Sequence, residues 1–279
     1  MRSTQRRAAR VAAATLMLGW PALARAVEPE RANPLIARLA AGRPALGVWT
    51  AATAAPRIAK VLATSGADFI VADVEHDVYD FPSLRTFLLG VQDFGRRYAA
   101  PQTPPPSVIV KLGHRAGWDG RFEVAETLKL GPVAGVWVPF VESRADLERV
   151  ISAVRGAETS ALAGLNIARE RRDVWPLDPQ GELVVVAMIE SEAGARRAEE
   201  IVGTPGVTAI EPVHLSAPDT ARVLALCKAK NVIAATNASP DDVSARLAEG
   251  YRLISVGWDY VLLRDALGDA LKRMRPAFR

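Results

Sequence analysis

The chain has 279 residues, 49% hydrophobic and 24% charged, with a formal net charge of +4 and one cysteine. That composition excludes a disulfide scaffold and a disordered chain, and the length suits one large α/β domain. The positive charge is confined to one end: residues 1–26 hold five arginines and no acidic residue, so the remainder carries −1 and offers no basic nucleic-acid surface.

Residues 1–26 read as an export signal. Arg2, Arg6, Arg7 and Arg10 precede an apolar run from Val11 to Ala24, and Ala24-Arg25-Ala26 fits small-residue cleavage. The run is short for a membrane-spanning helix, and Arg6-Arg7 also fits twin-arginine export. The expectation is a periplasmic or secreted protein with no membrane attachment after cleavage, and one domain over residues 27–279.

From there the chain alternates β-rich runs with amphipathic helical patterns. The predicted strands are Leu46–Thr50, Phe69–Asp73, Ser107–Lys111, Gly135–Pro139, Leu183–Glu190, Val207–Glu211, Val232–Thr236 and Leu253–Gly257. Their near-continuous apolar character is that of parallel strands covered on both faces. Between them, Ile58, Val61 and Leu62 form the face of a helix ending at Gly66. Ser143 caps a helix with Asp146 three residues on and Leu147, Val150, Ile151 and Val154 on one side. Cys227 falls in the apolar pattern of Val223 and Leu224, as a small buried hydrophobe. Ser239-Pro240 with Asp242 opens a helix that carries Val243 and Leu247 and stops at Gly250. Eight strand–helix units predict a single (β/α)8 TIM barrel. A doubly wound sheet is the other reading, but no Gly-rich phosphate loop follows the first strand. A proline-rich connector (Pro101, Pro104, Pro105, Pro106) and an insertion from Gly156 to Glu182 interrupt the rhythm. The insertion has two readings: closing the site with Arg169, Arg171 or Arg172, or packing against a neighbour.

In such a barrel the strand C-termini carry the chemistry. They deliver Trp49 and Thr50, then Asp73, Glu75, His76 and Asp77 from the segment GADFIVADVEHD, then Lys111, Glu190, Glu211, His214, Asn237 and Asp259. This set suits enolate chemistry on a small 2-oxo acid. Glu190 and His214 are the candidate ligands of a divalent metal, and His76, with Glu75 beside it, is the candidate acid/base. Lys111 is the cation for a developing oxyanion. Trp49, Lys111 and His214 are candidate substrate contacts on this rim.

The segments LGVW (Leu46–Trp49), GADFIVADVEH (Gly66–His76), VWVPFVES (Val136–Ser143), VVVAMIES (Val184–Ser191), EPVHLS (Glu211–Ser216) and SVGWDYVLL (Ser255–Leu263) together resemble the HpcH/HpaI aldolase/citrate lyase family. The resemblance implies a barrel of the phosphoenolpyruvate/pyruvate-enzyme type and a class II, metal-dependent pyruvate aldolase. It implies that His76 is the acid/base, that Glu190 binds metal, and that Asp259 matches a G-x-D-x-x-L-L element. It adds Met188 and Val213 to the candidate substrate contacts. It also implies a homo-oligomer, trimer or hexamer, with Asp259–Arg275 as contact surface. Four positions depart from the family pattern. The second metal carboxylate falls on His214, the arginine after strand three is Lys111, an aspartate thought to tune the base falls on Lys129, and a glutamine falls on Met188. Imidazole in place of carboxylate disfavours Mg²⁺ and favours a transition ion such as Mn, Co or Zn. Lysine keeps the charge but loses the bidentate fork, and Lys129 would lower the basicity of nearby groups. These departures leave two further readings: a non-catalytic barrel that binds a small acid or serves assembly, and Schiff-base chemistry at Lys111.

Overall fold

The computed structural model describes residues 31–51, 53, 55–76, 80–98, 103–113, 120–157, 171 and 173–278. The expected signal, Asp77, Arg169 and Arg172 lie outside them. Eight strands, β1 (Ala45–Thr50), β2 (Phe69–Asp73), β3 (Ser107–Lys111), β4 (Val133–Val138), β5 (Val184–Ile189), β6 (Ala209–Pro212), β7 (Ile233–Asn237) and β8 (Tyr251–Trp258), pair in sequence order. Every pairing is parallel and β8 returns to β1, which closes the barrel. Helices α1 (Pro34–Ala40), α2 (Pro56–Ala63), α3 (Phe81–Tyr98), α4 (Arg121–Lys129), α5 (Arg144–Gly156), α6 (Glu192–Arg196), α7 (Ala198–Val202), α8 (Ala217–Lys230), α9 (Val243–Glu249) and α10 (Asp259–Met274), with a short 3-10 helix at Arg275–Phe278, complete the described elements.

The period of two along each strand sorts the side chains into two cores. Phe69, Val71, Ile109, Val186, Ala209, Ala235 and Leu253 fill the barrel interior. Their sequence neighbours Ile70, Ala72, Val108, Val110, Val185 and Ala187 face outward in the separate cluster that includes helix residues such as Leu84, Phe87, Leu147 and Val150. Both faces being dry explains the unbroken apolar runs. At the C-terminal end the inward phase continues, but its chemistry changes. Asp73 aligns with Lys111, Lys111 with Trp137, Met188 with Glu211, and Asn237 with Ser255. The top interior layer of the barrel is therefore polar.

β4 begins at Val133, two residues before the expected Gly135. Gly135 has φ +154° and lets β4 approach β5 closely: a Cβ there would lie 2.0 Å from the Val184 carbonyl oxygen. Gly135→Ala is accordingly expected to lower stability by about 1–3 kcal/mol or more, read as a lowered urea midpoint.

Ser143 caps α5 as expected, its hydroxyl accepting the Asp146 N–H at 3.2 Å. Ser239 bonds Asp242 in both directions, and Gly250 ends α9 at φ +107°. Glu182, just before β5, is fully buried and accepts the backbone N–H groups of Ala32 and Asn33 at 3.2 and 3.0 Å. Arg171 also bonds Glu182. Of the insertion's arginines, Arg171 therefore serves the N-terminal end of the barrel, opposite the mouth. No helix among the described residues is long and apolar enough to cross a membrane.

Candidate active site

The site is built on Asp73, the last residue of β2, which is fully buried. Its Oδ1 accepts the backbone N–H groups of Glu75 and His76 at 2.8 and 3.0 Å. A short acidic side chain that caps the two residues after it is the natural way to turn a chain out of a strand. The same turn brings His76 back over the carboxylate, with Nδ1 at 2.9 Å from Oδ2. In the tautomer that donates from Nδ1, Nε2 is left as a proton acceptor. The ring is open to solvent, its side chain 58% exposed against 0% for Asp73.

Lys111, at the end of β3, is the counter-charge. Its Nζ lies 2.5 Å from Glu75 Oε2 and 3.3 Å from Asp73 Oδ2, and the side chain is only 3% exposed. It also stands over the Trp49 ring, 5.5 Å from the centroid. Trp49 is fixed in turn by its indole N–H, which donates to Ser255 Oγ at 2.9 Å, while Ser255 bonds Asn237. Thr50 donates to Asp259 at 2.7 Å, tying β1 to the start of α10.

Across the mouth, Glu190 follows β5 and accepts the Phe140 N–H on Oε1 at 2.8 Å. Phe140 has φ +50°, the conformation that aims this N–H at the carboxylate. Met188 is buried, Val213 is half-buried against the interior cluster, and His214 is exposed at φ +54°. Trp49, Lys111, Met188 and Val213 thus all belong to the barrel interior or its upper edge. Lys129 does not join the site within this chain: it sits at the end of α4 in a surface pair with Glu126 at 2.8 Å. Cys227 is buried, and burial pushes its thiol up to about 12, in keeping with a small core residue.

The sequence places Asp73 and Glu211 on the rim without giving either a role, and it does not place Trp258 there. Asp73 is the pivot rather than a bystander of the cluster. Trp258 sits edge-to-face with His76, ring centres 5.8 Å apart. Glu211, 2% exposed, accepts the Trp137 indole N–H at 3.1 Å. Burial pushes the Glu211 carboxyl up to about 7; the Trp137 bond and Lys111 oppose the rise, and Glu190 adds to it. The alternation from Ala209 to Glu211 was the available signal for its inward direction. Because its folded pKa lies above the unfolded one, Glu211 favours folding below about pH 4.5 and loses that contribution as pH rises through about 7. In metal-free protein, stability should therefore fall over that interval, and Glu211→Gln should flatten the fall in urea titrations.

Asp73, Glu75 and His76 each offer a ligand atom within 4.8 Å of the others, the one such group of three among the described residues, so this triad could hold a metal ion. Lys111 already places its ammonium against both carboxylates of the triad. Glu190 directly follows β5 and His214 lies two residues past β6, and neither belongs to such a group among the described residues.

A closed parallel barrel with titratable residues gathered at its C-terminal rim defines a (β/α)8 enzyme. The sequence profile described as HpcH/HpaI aldolase/citrate lyase matches residues 46–221. The chain belongs to this family, which makes it a carbon–carbon lyase by class. It is 28% identical over 271 residues to a hydroxypyruvate/pyruvate aldolase of Delftia acidovorans, covering 88% of this chain and 93% of that protein. It is 26% identical over 270 residues to a 4-hydroxy-2-oxovalerate aldolase of Novosphingobium aromaticivorans, covering 87% and 95%. The crystal structure of a family member from Burkholderia cenocepacia superposes with a TM-score of 0.70 at 22% identity, covering 87% of this chain and 99% of that one, and supports the fold.

Proposed function

We propose that the protein makes and breaks the bond to C3 of a small 2-oxo acid through its pyruvate enolate, with His76 as the acid/base. The Asp73–His76 pair beside Lys111 carries this reading, because it joins a proton acceptor to a cation in one mouth. In the cleavage direction, His76 Nε2 takes the proton of the substrate's C4 hydroxyl. The C3–C4 electron pair then moves into the enolate and the aldehyde departs. His76 returns the proton to C3, which yields pyruvate. Asp73 holds the ring in the required tautomer and orientation through the Nδ1–Oδ2 contact. Lys111, held in place by Asp73 and Glu75, stabilises negative charge on the substrate oxygens. Trp49, Met188 and Val213 shape the walls. The names of the relatives, a hydroxypyruvate/pyruvate aldolase among them, support a 2-oxo acid and an aldehyde as the reactants.

The donor chemistry beyond the triad fits a divalent ion. Glu190 has one oxygen engaged by Phe140, and the proximity of its charge helps raise Glu211, so two carboxylates compete where added positive charge would relieve both. In this reading Glu190 and His214 hold the ion, and the imidazole favours Mn, Co or Zn over Mg. When bound, the ion supplies Lewis-acid polarisation of the 2-oxo acid carbonyl. The test is pyruvate release from a panel of 4-hydroxy-2-oxo acids and from oxaloacetate, with and without each ion. No release under any condition, with ligand-induced thermal shifts retained, would favour a binding barrel instead.

A homo-oligomer, trimer or hexamer, is part of the same reading. α10 buries none of its side chains and leaves Tyr260, Leu262, Leu263, Leu267, Leu271 and Met274 exposed. A monomer by light scattering would rule this out. Export with cleavage after Ala26 is tested by N-terminal sequencing of the protein from the periplasm or medium, which should begin at Val27.

A further inference from the structure

β8 contains an extra residue next to the site. Gly47 aligns with Ser255, but Trp49 aligns with Trp258, so two steps along β1 match three along β8. Gly257 stands at φ +95° in this bulge, with nothing within 4 Å of the position its Cβ would take. The glycine is thus used for its conformation and not for space. Without the extra residue, strict alternation from Leu253 and Ser255 would turn residue 257 inward and Trp258 out toward the helices. With it, Trp258 packs against the interior cluster. There it lies 5.4 Å from the Trp49 ring, 5.7 Å from Tyr260 and 5.8 Å from His76.

An aromatic wall is therefore aimed at the proton-moving residue. Among the described residues the charges beside it are mainly acidic. Asp73, Glu75, Glu190 and Glu211 share the mouth, and the buried described cation, Lys111, is already matched by two carboxylates. A second carboxylate on the aldehyde half of the substrate would meet repulsion there, whereas a flat apolar group would meet the indole.

We infer that Trp258 is a specificity-determining residue: it forms the surface on which the aldehyde partner rests beside His76, and it selects a neutral apolar or aromatic aldehyde over one bearing a carboxylate. This rests on the lyase reading above and names its acceptor class. The experiment compares aldol addition of pyruvate to benzaldehyde and to glyoxylate by the full protein, Trp258→Phe and Trp258→Ala, with thermal unfolding of each recorded. The wild type should favour benzaldehyde in kcat/KM. Trp258→Ala should lower the benzaldehyde-to-glyoxylate ratio about tenfold, chiefly through KM for benzaldehyde, while Trp258→Phe keeps it within about threefold. A wild-type preference for glyoxylate, or a parallel loss on both aldehydes in Trp258→Ala, overturns the assignment. If the wild type adds pyruvate to neither aldehyde and releases none from oxaloacetate, the lyase reading falls and the acceptor assignment falls with it. Pyruvate release with the wrong aldehyde preference overturns the acceptor assignment alone.

Discussion

Lys111→Met is expected to destabilise the folded protein by about 3–5 kcal/mol, because it leaves two carboxylates at the mouth without their cation. Asp73 is fully buried and Glu75 partly so, and Lys111 lies within 3.3 Å of the first and 2.5 Å of the second. Methionine nearly matches the lysine stem in volume, so the loss reports charge and not a cavity. Asp73 would keep His76 and two backbone N–H groups, which limit the damage to its own side of the pair. Urea unfolding at neutral pH measures the change. A shift below about 1 kcal/mol, the range of an exposed ion pair, would show that the three groups are hydrated and not locked together.

His76→Ala should have the opposite profile. The ring is largely exposed and its removal opens no core cavity, so stability should move by no more than about 0.5 kcal/mol. Turnover should fall by about 10²–10⁴, the usual contribution of a positioned acid or base. Asp73→Asn is expected to reduce kcat as well, because an amide presents a donor or a neutral oxygen where the imidazole needs an anionic acceptor. It should also cost stability, since Asp73 orders the turn. Steady-state kinetics paired with unfolding curves separate the two variants. Equal losses of stability would mean that His76 is held as structure.

Much of this was legible from residue types alone. The bounds of β2 and β3 coincide with the predicted Phe69–Asp73 and Ser107–Lys111, because strands dry on both faces leave a run that ends abruptly at charge. The cluster after β2 was visible for the same reason. The roles inside it were not. Glu75 and His76 stand out as chemistry, but it is Asp73 that bonds both, through a turn whose geometry is a matter of backbone. The double pairing of Lys111 depends on β2–β3 register, which puts Asp73 directly beside it. Glu211 could have been placed inward by counting two from Ala209. Trp258 could not, because the bulge at Gly257 breaks the count that would have found it. Lys129 looked like a perturbation of the base, yet in this chain it lies at the end of α4, paired with Glu126.

The enolate is the step on which every assigned role converges, and it can be watched without knowing the aldehyde. Proton NMR of pyruvate in D₂O with the protein and Mn²⁺, Co²⁺ or Zn²⁺, the metal removed before detection, follows exchange of the C3 methyl protons. Time-dependent loss of the methyl signal with the wild type, and none above background with His76→Ala, is the expected result. Absence of exchange with the wild type under every ion, or equal exchange by His76→Ala, would contradict enolate formation by His76.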